Sequence, residues 1–330
     1  MPPAQVQSDR PQVARMDARY TAAVVITEVI RNRKHLEISL ARHLAAVTDT
    51  RDKALASEIS YGVMRWYPRL VFIANILLKT PLKTRDTDIL ALIYCGLYQL
   101  IFLRIPDHAA ISATVETARK LQKPWAGNLV NAVLRRYQRE SSRLEHRVSD
   151  SEVAAWAHPE WLIAELRRQW PQHWQKILDA NNQYPPLQLR LNLKRQNREQ
   201  YLSDLQQAGI EAAPARIVDT GVTVCNPVNV EDIPGFKQGD VSVQDYGAQL
   251  AAPLLDAHTG QRVLDACAAP GGKTAHIHER TPDLEELVAV ELDAHRVELL
   301  RNTIKRLGLR VNIIHADVCD TGSWWDGRQF

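Results

Sequence analysis

The sequence predicts three successive folds: an all-α front domain, a small α/β subdomain, and the first strands of an open parallel α/β sheet. Three observations carry that reading. Apolar residues recur at helical spacing from residue 17 to about 147. Leu187, Leu189, Leu191 and Leu193 alternate on one face of a strand with Arg190 and Asn192 opposite. Val263 to Thr274, Val-Leu-Asp-Ala-Cys-Ala-Ala-Pro-Gly-Gly-Lys-Thr, reads as a strand end, a tight glycine turn and a helix start. The boundaries that follow are a tail at 1–16, a helical domain at 17–148, a helical connector at 149–185, the α/β subdomain at 186–245 and the parallel-sheet half at 246–330.

Composition narrows the class. A chain of 330 residues, 45% hydrophobic and 24% charged, is long enough for two or three soluble domains, each with its own core. Cys95, Cys225, Cys267 and Cys319 show no C-x-x-C spacing, which argues against a metal site or disulfide frame and suits a reducing cytoplasm. The first nineteen residues are polar and contain no signal-like apolar run. Ile89–Leu103, the longest apolar stretch at fifteen residues, holds Gln99; a membrane span wants about 20 residues, so this is a core helix. The net charge of +3 is uneven, with 23 Lys+Arg against 14 Asp+Glu in residues 1–150 and 18 against 24 afterwards. Phosphate contacts are expected in the positive half.

Within the front domain, residues 1–16 are expected to be a disordered tail. Ala22, Ile26, Val29 and Ile30 mark one helical stripe, and Leu55, Ile59, Val63 and Trp66 another. Ile89, Leu92, Ile93, Leu97 and Leu100 give the strongest helical period of the chain. Asp107 after Pro106 is expected to cap a helix carrying Ile111, Val115 and Ala118. A last helix, Asn128 to Arg147, turns Leu129, Val130, Val133 and Leu134 inward. On it Arg135, Arg139, Arg143 and Arg147 fall every four residues beside Arg136, on one drifting face. Such a row is either a solvated face or a set of phosphate contacts.

Trp156, Trp161, Trp170 and Trp174 crowd the connector. They are expected to pack it against its neighbours, although Trp161, Glu165 and Arg168 also suit a base-stacking surface. After Tyr184-Pro185-Pro186 come the alternating strand, a helix from Arg198 to Ala208, a strand at Val222–Cys225, and a strand at Val241–Asp245 leading into a helix over Tyr246–Ala257. Arg190, Lys194 and Arg195 are expected to be exposed, as phosphate contacts or as a solvated strand edge. Cys95 and Cys225 read as small packed hydrophobes.

The glycine turn narrows the ligand. A P-loop needs Gly where Cys267 stands, and a dinucleotide fingerprint needs more than Gly271-Gly272. The next strand, Leu287–Val290, ends in Glu291, nineteen residues after Gly272; an acid at that distance suits ribose hydroxyls. A helix over Ala294–Leu307 leads to a third strand, Val311–Ile314, and then Asp317, placed for an adenine amino group. The three strands are expected parallel, in spatial order 3-2-1, near 262–266, 287–292 and 311–315, an incomplete Rossmann-like domain. A nucleoside without a pyrophosphate fits best, and S-adenosyl-L-methionine is one.

Asp265 to Thr274 closely resembles the first motif of the Sun/Nop family of RNA cytosine-C5 methyltransferases. The resemblance implies that Cys267, Ala268, Ala269, Pro270, Gly271, Gly272 and Lys273 wrap S-adenosyl-L-methionine, that Glu291 binds its ribose and that Asp317 binds its adenine end. Glu291 stands where relatives often carry Asp. The helical front resembles a NusB-like RNA-binding domain. The middle corresponds to the family's small RNA-recognition-like subdomain, where Gln244 and Asp245 match a polar pair near the cofactor cleft; capping of the next helix is the other reading of Asp245. The implied substrate is 16S rRNA or a small-subunit precursor, and the implied protein is a monomer without membrane attachment.

The implied chemistry needs more than these residues hold. Cytosine C5 becomes nucleophilic once a cysteine thiolate adds to C6, after the base is flipped out. In the family that cysteine lies in a Thr-Cys motif and a second follows a Pro, both beyond the third strand. Residues 1–330 contain neither dipeptide, so the nucleophile is expected beyond Phe330 and the chain is expected to be incomplete and inactive by itself. The competing readings are a non-catalytic RNA-binding protein with a vestigial methyltransferase fold, and a methyltransferase acting on an amine.

Overall fold

In the computed structural model, residues 17–226 and 228–330 are described; the expected tail at 1–16 lies outside them. The chain divides into two compact units, one running to Tyr184 and one starting at Pro185.

The first unit is entirely helical among its described residues. Its bundle consists of α1 (Ala18–Asn32), α2 (Leu36–Leu44), α3 (Thr50–Arg65), α4 (Tyr67–Leu77), α5 (Thr87–Phe102), α6 (Asp107–Lys120) and α7 (Ala126–Ser149). Helix α5 is apolar on every side, and such a helix belongs at the centre. Ile89 and every residue from Ala91 to Gln99 are buried, and α5 packs against α1, α3, α4, α6 and α7. Gln99 is tolerated there because its amide donates to the Cys95 carbonyl at 2.9 Å and to Thr114 Oγ1 at 3.3 Å. Asp107 is the first residue of α6 and makes no cap; Pro106 holds the cap position, and the Asp107 carboxylate instead accepts from Gln138 at 2.9 Å.

The connector forms α8 (Glu152–Trp156), α9 (Glu160–Gln169) and α10 (Trp174–Asn182). Only part of the packing expectation holds. Trp156 and Trp174 meet edge to face at 5.3 Å, whereas Trp161 and Trp170 are 69% and 53% exposed. Tyr184, the last residue of the unit, donates its hydroxyl to Glu58.

The second unit begins with a four-stranded antiparallel sheet: β1 (Leu187–Leu191), α11 (Arg198–Gln207), β2 (Ala212–Pro214), β3 (Gly221–Val224) and β4 (Val241–Val243), in the order β2-β3-β1-β4. This is the strand order of a ferredoxin-like or RNA-recognition-like fold, with a 3₁₀ turn at Val230–Asp232 in place of the second helix. Leu189, Leu191, Val222 and Val241 form its core with Tyr201 and Leu205 of α11. Strand β2 did not stand out in the sequence because three residues carry too little period, and Leu193 falls past the end of β1, 44% exposed.

The segment after β4 makes two short helices, α12 (Tyr246–Gln249) and α13 (Ala251–Leu255), where one was expected. Beyond them come β5 (Arg262–Asp265), α14 (Gly272–Arg280), β6 (Glu286–Glu291), α15 (Ala294–Leu307), β7 (Asn312–His315) and α16 (Thr321–Trp324). Strands β5, β6 and β7 are parallel in that spatial order, with Leu264 beside Val288 and Val290 beside Ile314. The expected order and bounds therefore hold. Val288, Ala289 and Val290 are all buried in sequence, the mark of a central strand covered on both faces.

Candidate functional site

Cys267 to Lys273, the loop expected to wrap a cofactor, lies at the carboxyl ends of the parallel strands, where open α/β sheets bind ligands. Asp265 ends β5, and its Oδ2 accepts from Thr274 Oγ1 at 2.6 Å, closing the turn across its mouth. The Ala268 N–H donates to the Val290 carbonyl at 3.1 Å, and the Gly271 N–H returns to the Ala268 carbonyl at 2.7 Å. Gly271 has φ +100°, and a Cβ there would stand 2.8 Å from Leu300 Cδ1, so this position demands glycine. At Gly272 the nearest atom to an added Cβ is Gln244 Nε2 at 3.5 Å. Helix α14 starts there, directing its first amides and the positive end of its dipole toward the loop.

Glu291 ends β6 beside this loop. It is 4% exposed, and its Oε2 accepts from the Ala269 N–H at 3.3 Å. Its Oε1 accepts from the Asp293 N–H at 3.1 Å. Arg296 spans the pair, donating to the Ala269 carbonyl at 2.9 Å and lying 3.4 Å from the Glu291 carboxylate. The strand tips are stitched together as well, because the Ala316 N–H donates to the Glu291 carbonyl at 3.2 Å. Asp317 follows, exposed, with Oδ1 accepting from the Cys319 N–H at 2.9 Å. A tight glycine turn opening a helix N-terminus, a carboxylate at the second strand tip and an acid past the third fit a nucleoside ligand.

Arg190 is not where the sequence put it. Its side chain has no exposure and is bound to Glu279, Gln244 and the Gly272 carbonyl, so it is no surface RNA contact. The polar face of the small sheet is covered by α14 at Arg190 and by Arg306 of α15 at Ser242, and Arg190, Asn192, Ser242 and Gln244 are all buried. Lys194 and Arg195 are exposed, but Arg195 donates to the Gln238 and Leu307 carbonyls at 2.7 and 3.0 Å. Asp245 caps α12, accepting from Gly247 and Ala248. The sequence reading missed Arg296 and His276. A basic residue on an amphipathic helix is ordinary, and nothing in the local pattern marks either one.

The cysteines divide sharply. Cys95 is fully buried, and burial pushes its thiol far above the usual range. Cys225, Cys267 and Cys319 are exposed; Cys225 is thus not the packed hydrophobe expected, because it lies just past the end of β3.

In the first unit Arg135, Arg139, Arg143 and Arg147 are all exposed along α7. Arg136 differs: it donates to the Ile76 and Leu77 carbonyls at 3.2 and 3.1 Å, satisfying the end of α4, and pairs with Glu140 at 2.9 Å. A cleft of about 410 Å³ lies beside the row, lined in part by Arg136, Arg143, Arg147, Glu140 and Asn75.

Comparison with known proteins agrees with this architecture. Residues 16–139 match the NusB family, residues 158–231 the ferredoxin-like domain of RsmF/B-like methyltransferases, and residues 252–330 the 16S rRNA methyltransferase RsmB/F family. The ribosomal RNA small subunit methyltransferase B of Pseudomonas syringae pv. tomato is 45% identical over 96% of this chain and 70% of its own length. That of Pseudomonas putida is 45% identical over 96% and 72%. The crystal structure of PH0851 superposes with a TM-score of 0.72 at 17% identity, over 94% of this chain and 71% of that one, a likeness of fold. With a helical front, a ferredoxin-like middle and a glycine-turn parallel sheet in this order, and relatives this similar along nearly all its length, the chain belongs to the ribosomal RNA small subunit methyltransferase B family.

Proposed function

We propose that the chain serves S-adenosyl-L-methionine-dependent methylation of cytosine C5 in 16S rRNA, with residues 1–330 supplying the RNA-binding and cofactor-binding parts. The observation that carries it is the Ala269–Glu291 hydrogen bond, which sets a carboxylate against the glycine turn at the strand tips. Cys267 to Lys273 would line the methionine side, Glu291 would meet the ribose and Asp317 the adenine. The bound cofactor supplies an electrophilic methyl on a sulfonium. Asp265 and Thr274 hold the loop, and Arg296 bridges the Ala269 carbonyl and the Glu291 carboxylate and so orients the acid. Isothermal titration with S-adenosylhomocysteine is expected to show one site per chain, weakened when Glu291→Ala removes the carboxylate. Absence of saturable binding would instead favour a non-catalytic RNA-binding protein.

Methyl transfer is expected to be undetectable with residues 1–330 alone. Cys95 is buried and protonated, Cys225 lies past β3 of the small antiparallel sheet rather than at the parallel-strand tips, Cys267 is in the cofactor loop, and Cys319 follows the adenine-side acid. The assay is tritium transfer from labelled S-adenosyl-L-methionine to unmodified small-subunit rRNA. Robust transfer to cytosine would contradict this placement, with Cys267 and Cys319 the first to replace.

The substrate reading rests on the basic front unit and its exposed arginine row. Replacing Arg135, Arg139 and Arg143 with alanine is expected to weaken RNA binding and flatten its salt dependence, each lost phosphate contact removing about 0.7–0.9 from the log–log slope. Filter binding across a salt series measures this; an unchanged slope assigns the row to solvation. We read the protein as a cytoplasmic monomer, which sedimentation equilibrium of the chain tests for its oligomeric part.

A further inference from the structure

The small sheet and the cofactor loop are joined by one buried guanidinium. Arg190 lies in β1, an inner strand, between Leu189 and Leu191, which face the sheet's apolar core. On the opposite face its Nε and Nη2 fork onto the Glu279 carboxylate at 3.1 and 2.9 Å. Its Nη1 donates to Gln244 Oε1 and to the Gly272 carbonyl, both at 2.6 Å. The Glu279 side chain is 6% exposed and Arg190 has none, so the pair sits out of water. One side chain thereby grips both the first residue of α14, where the cofactor loop ends, and its last turn.

A buried ion pair is weak evidence for stability, since desolvating both charges offsets their attraction. Its planar fork does fix geometry. Two of the three acceptors are neutral, and both adjoin the loop: Gly272 belongs to it, and Gln244 lies against Gly272. The Gln244 side chain is itself held, because its Nε2 donates to the Ala248 backbone carbonyl at 3.4 Å. A pure stabilising pair would not need these.

We propose that Arg190 is a positioning residue of the cofactor site, fixing the exit of the Cys267–Lys273 loop from the small sheet. The proposal rests on the cofactor reading above. On it, the ferredoxin-like subdomain is part of the cofactor site as well as a platform for RNA, and a disturbance of its sheet reaches the loop through one side chain.

The test uses the whole chain and separates the ion pair from the clamp. Arg190→Met leaves Glu279 buried without a partner and is expected to lower stability. Arg190→Met/Glu279→Leu removes both charges and is expected to recover most of that stability in urea unfolding. The double variant should nevertheless bind S-adenosylhomocysteine about tenfold more weakly, with faster hydrogen exchange at amides 267–275 in the absence of ligand. Arg190→Lys, which keeps the charge and loses the fork, should move both readouts in the same direction while folding normally. Wild-type affinity and wild-type exchange in the double and lysine variants would reduce Arg190 to half of an ion pair and overturn the proposal. If the unaltered chain does not bind S-adenosylhomocysteine, the cofactor reading fails, while the exchange comparison still decides whether Arg190 holds the loop.

Discussion

Gly271→Ala is expected to destabilise the second unit by about 2–6 kcal/mol and to abolish cofactor binding, from two separable costs. The first is backbone strain. Gly271 has φ +100°, outside the region a residue with a Cβ adopts, at roughly 1–3 kcal/mol. The second is a collision with Leu300 Cδ1, 2.8 Å from the ideal Cβ. Leu300 has nowhere to retreat, since it is fully buried among Ala268, Ala269, Ala275, Ile304 and Leu307. Overpacking a site of this kind adds about 1–3 kcal/mol. Gly260 supplies the control, with φ +80° and nothing within 4 Å of an added Cβ. Gly260→Ala should show the strain alone, so the difference between the two variants in urea unfolding isolates the collision. Equal losses would mean that α15 shifts to make room, and the loop would then be softer than its packing implies.

How much of this was legible in the sequence depended on whether the relevant physics was local. The glycine turn was readable because a strand, two glycines and a helix start follow one another within twelve residues. The positions of Glu291 and Asp317 were readable because one ends its strand and the other lies two residues past the next, and the parallel order followed from strands separated by crossover helices. The bundle was readable from helical period, with α5 marked by the absence of any polar face. Arg190 was not readable. A charged residue opposite alternating leucines reads as a wet face, and it takes α14, some eighty residues later in the chain, with Arg306 of α15, to turn that face into an interior. The same limit explains Trp161 and Trp170. Large aromatic side chains suggest packing, but whether a neighbour arrives to cover them is set by tertiary arrangement. Cys225 likewise turned on a strand ending one residue early.

His276 is expected to make the second unit acid-sensitive in a range where most single residues contribute little. It is 1% exposed on α14, and both ring nitrogens are buried without a hydrogen-bond partner among the described residues. Burial, then the charges of Arg190 from β1 and Arg280 from its own helix, lower its pKa to about 3. Lys194 and Glu279 line the same cleft, but Glu279 is already committed to Arg190. The unfolded chain binds a proton at this residue near pH 6.5, its ordinary value, while the folded chain refuses it down to about pH 3. Stability is therefore fully present above pH 6.5 and is lost as the pH falls through that window, by about 1.4 kcal/mol per unit. Between pH 6.5 and 5 that amounts to about 2 kcal/mol. His276→Leu removes the titration and the two unpaired nitrogens, so it should be more stable than wild type at pH 5 and should lose this part of the slope. Urea unfolding of both proteins at pH 5, 6 and 7.5 measures the difference. Parallel slopes would mean that the folded protein accepts the proton, and that the interface between the small sheet and α14 opens far enough to hydrate the ring.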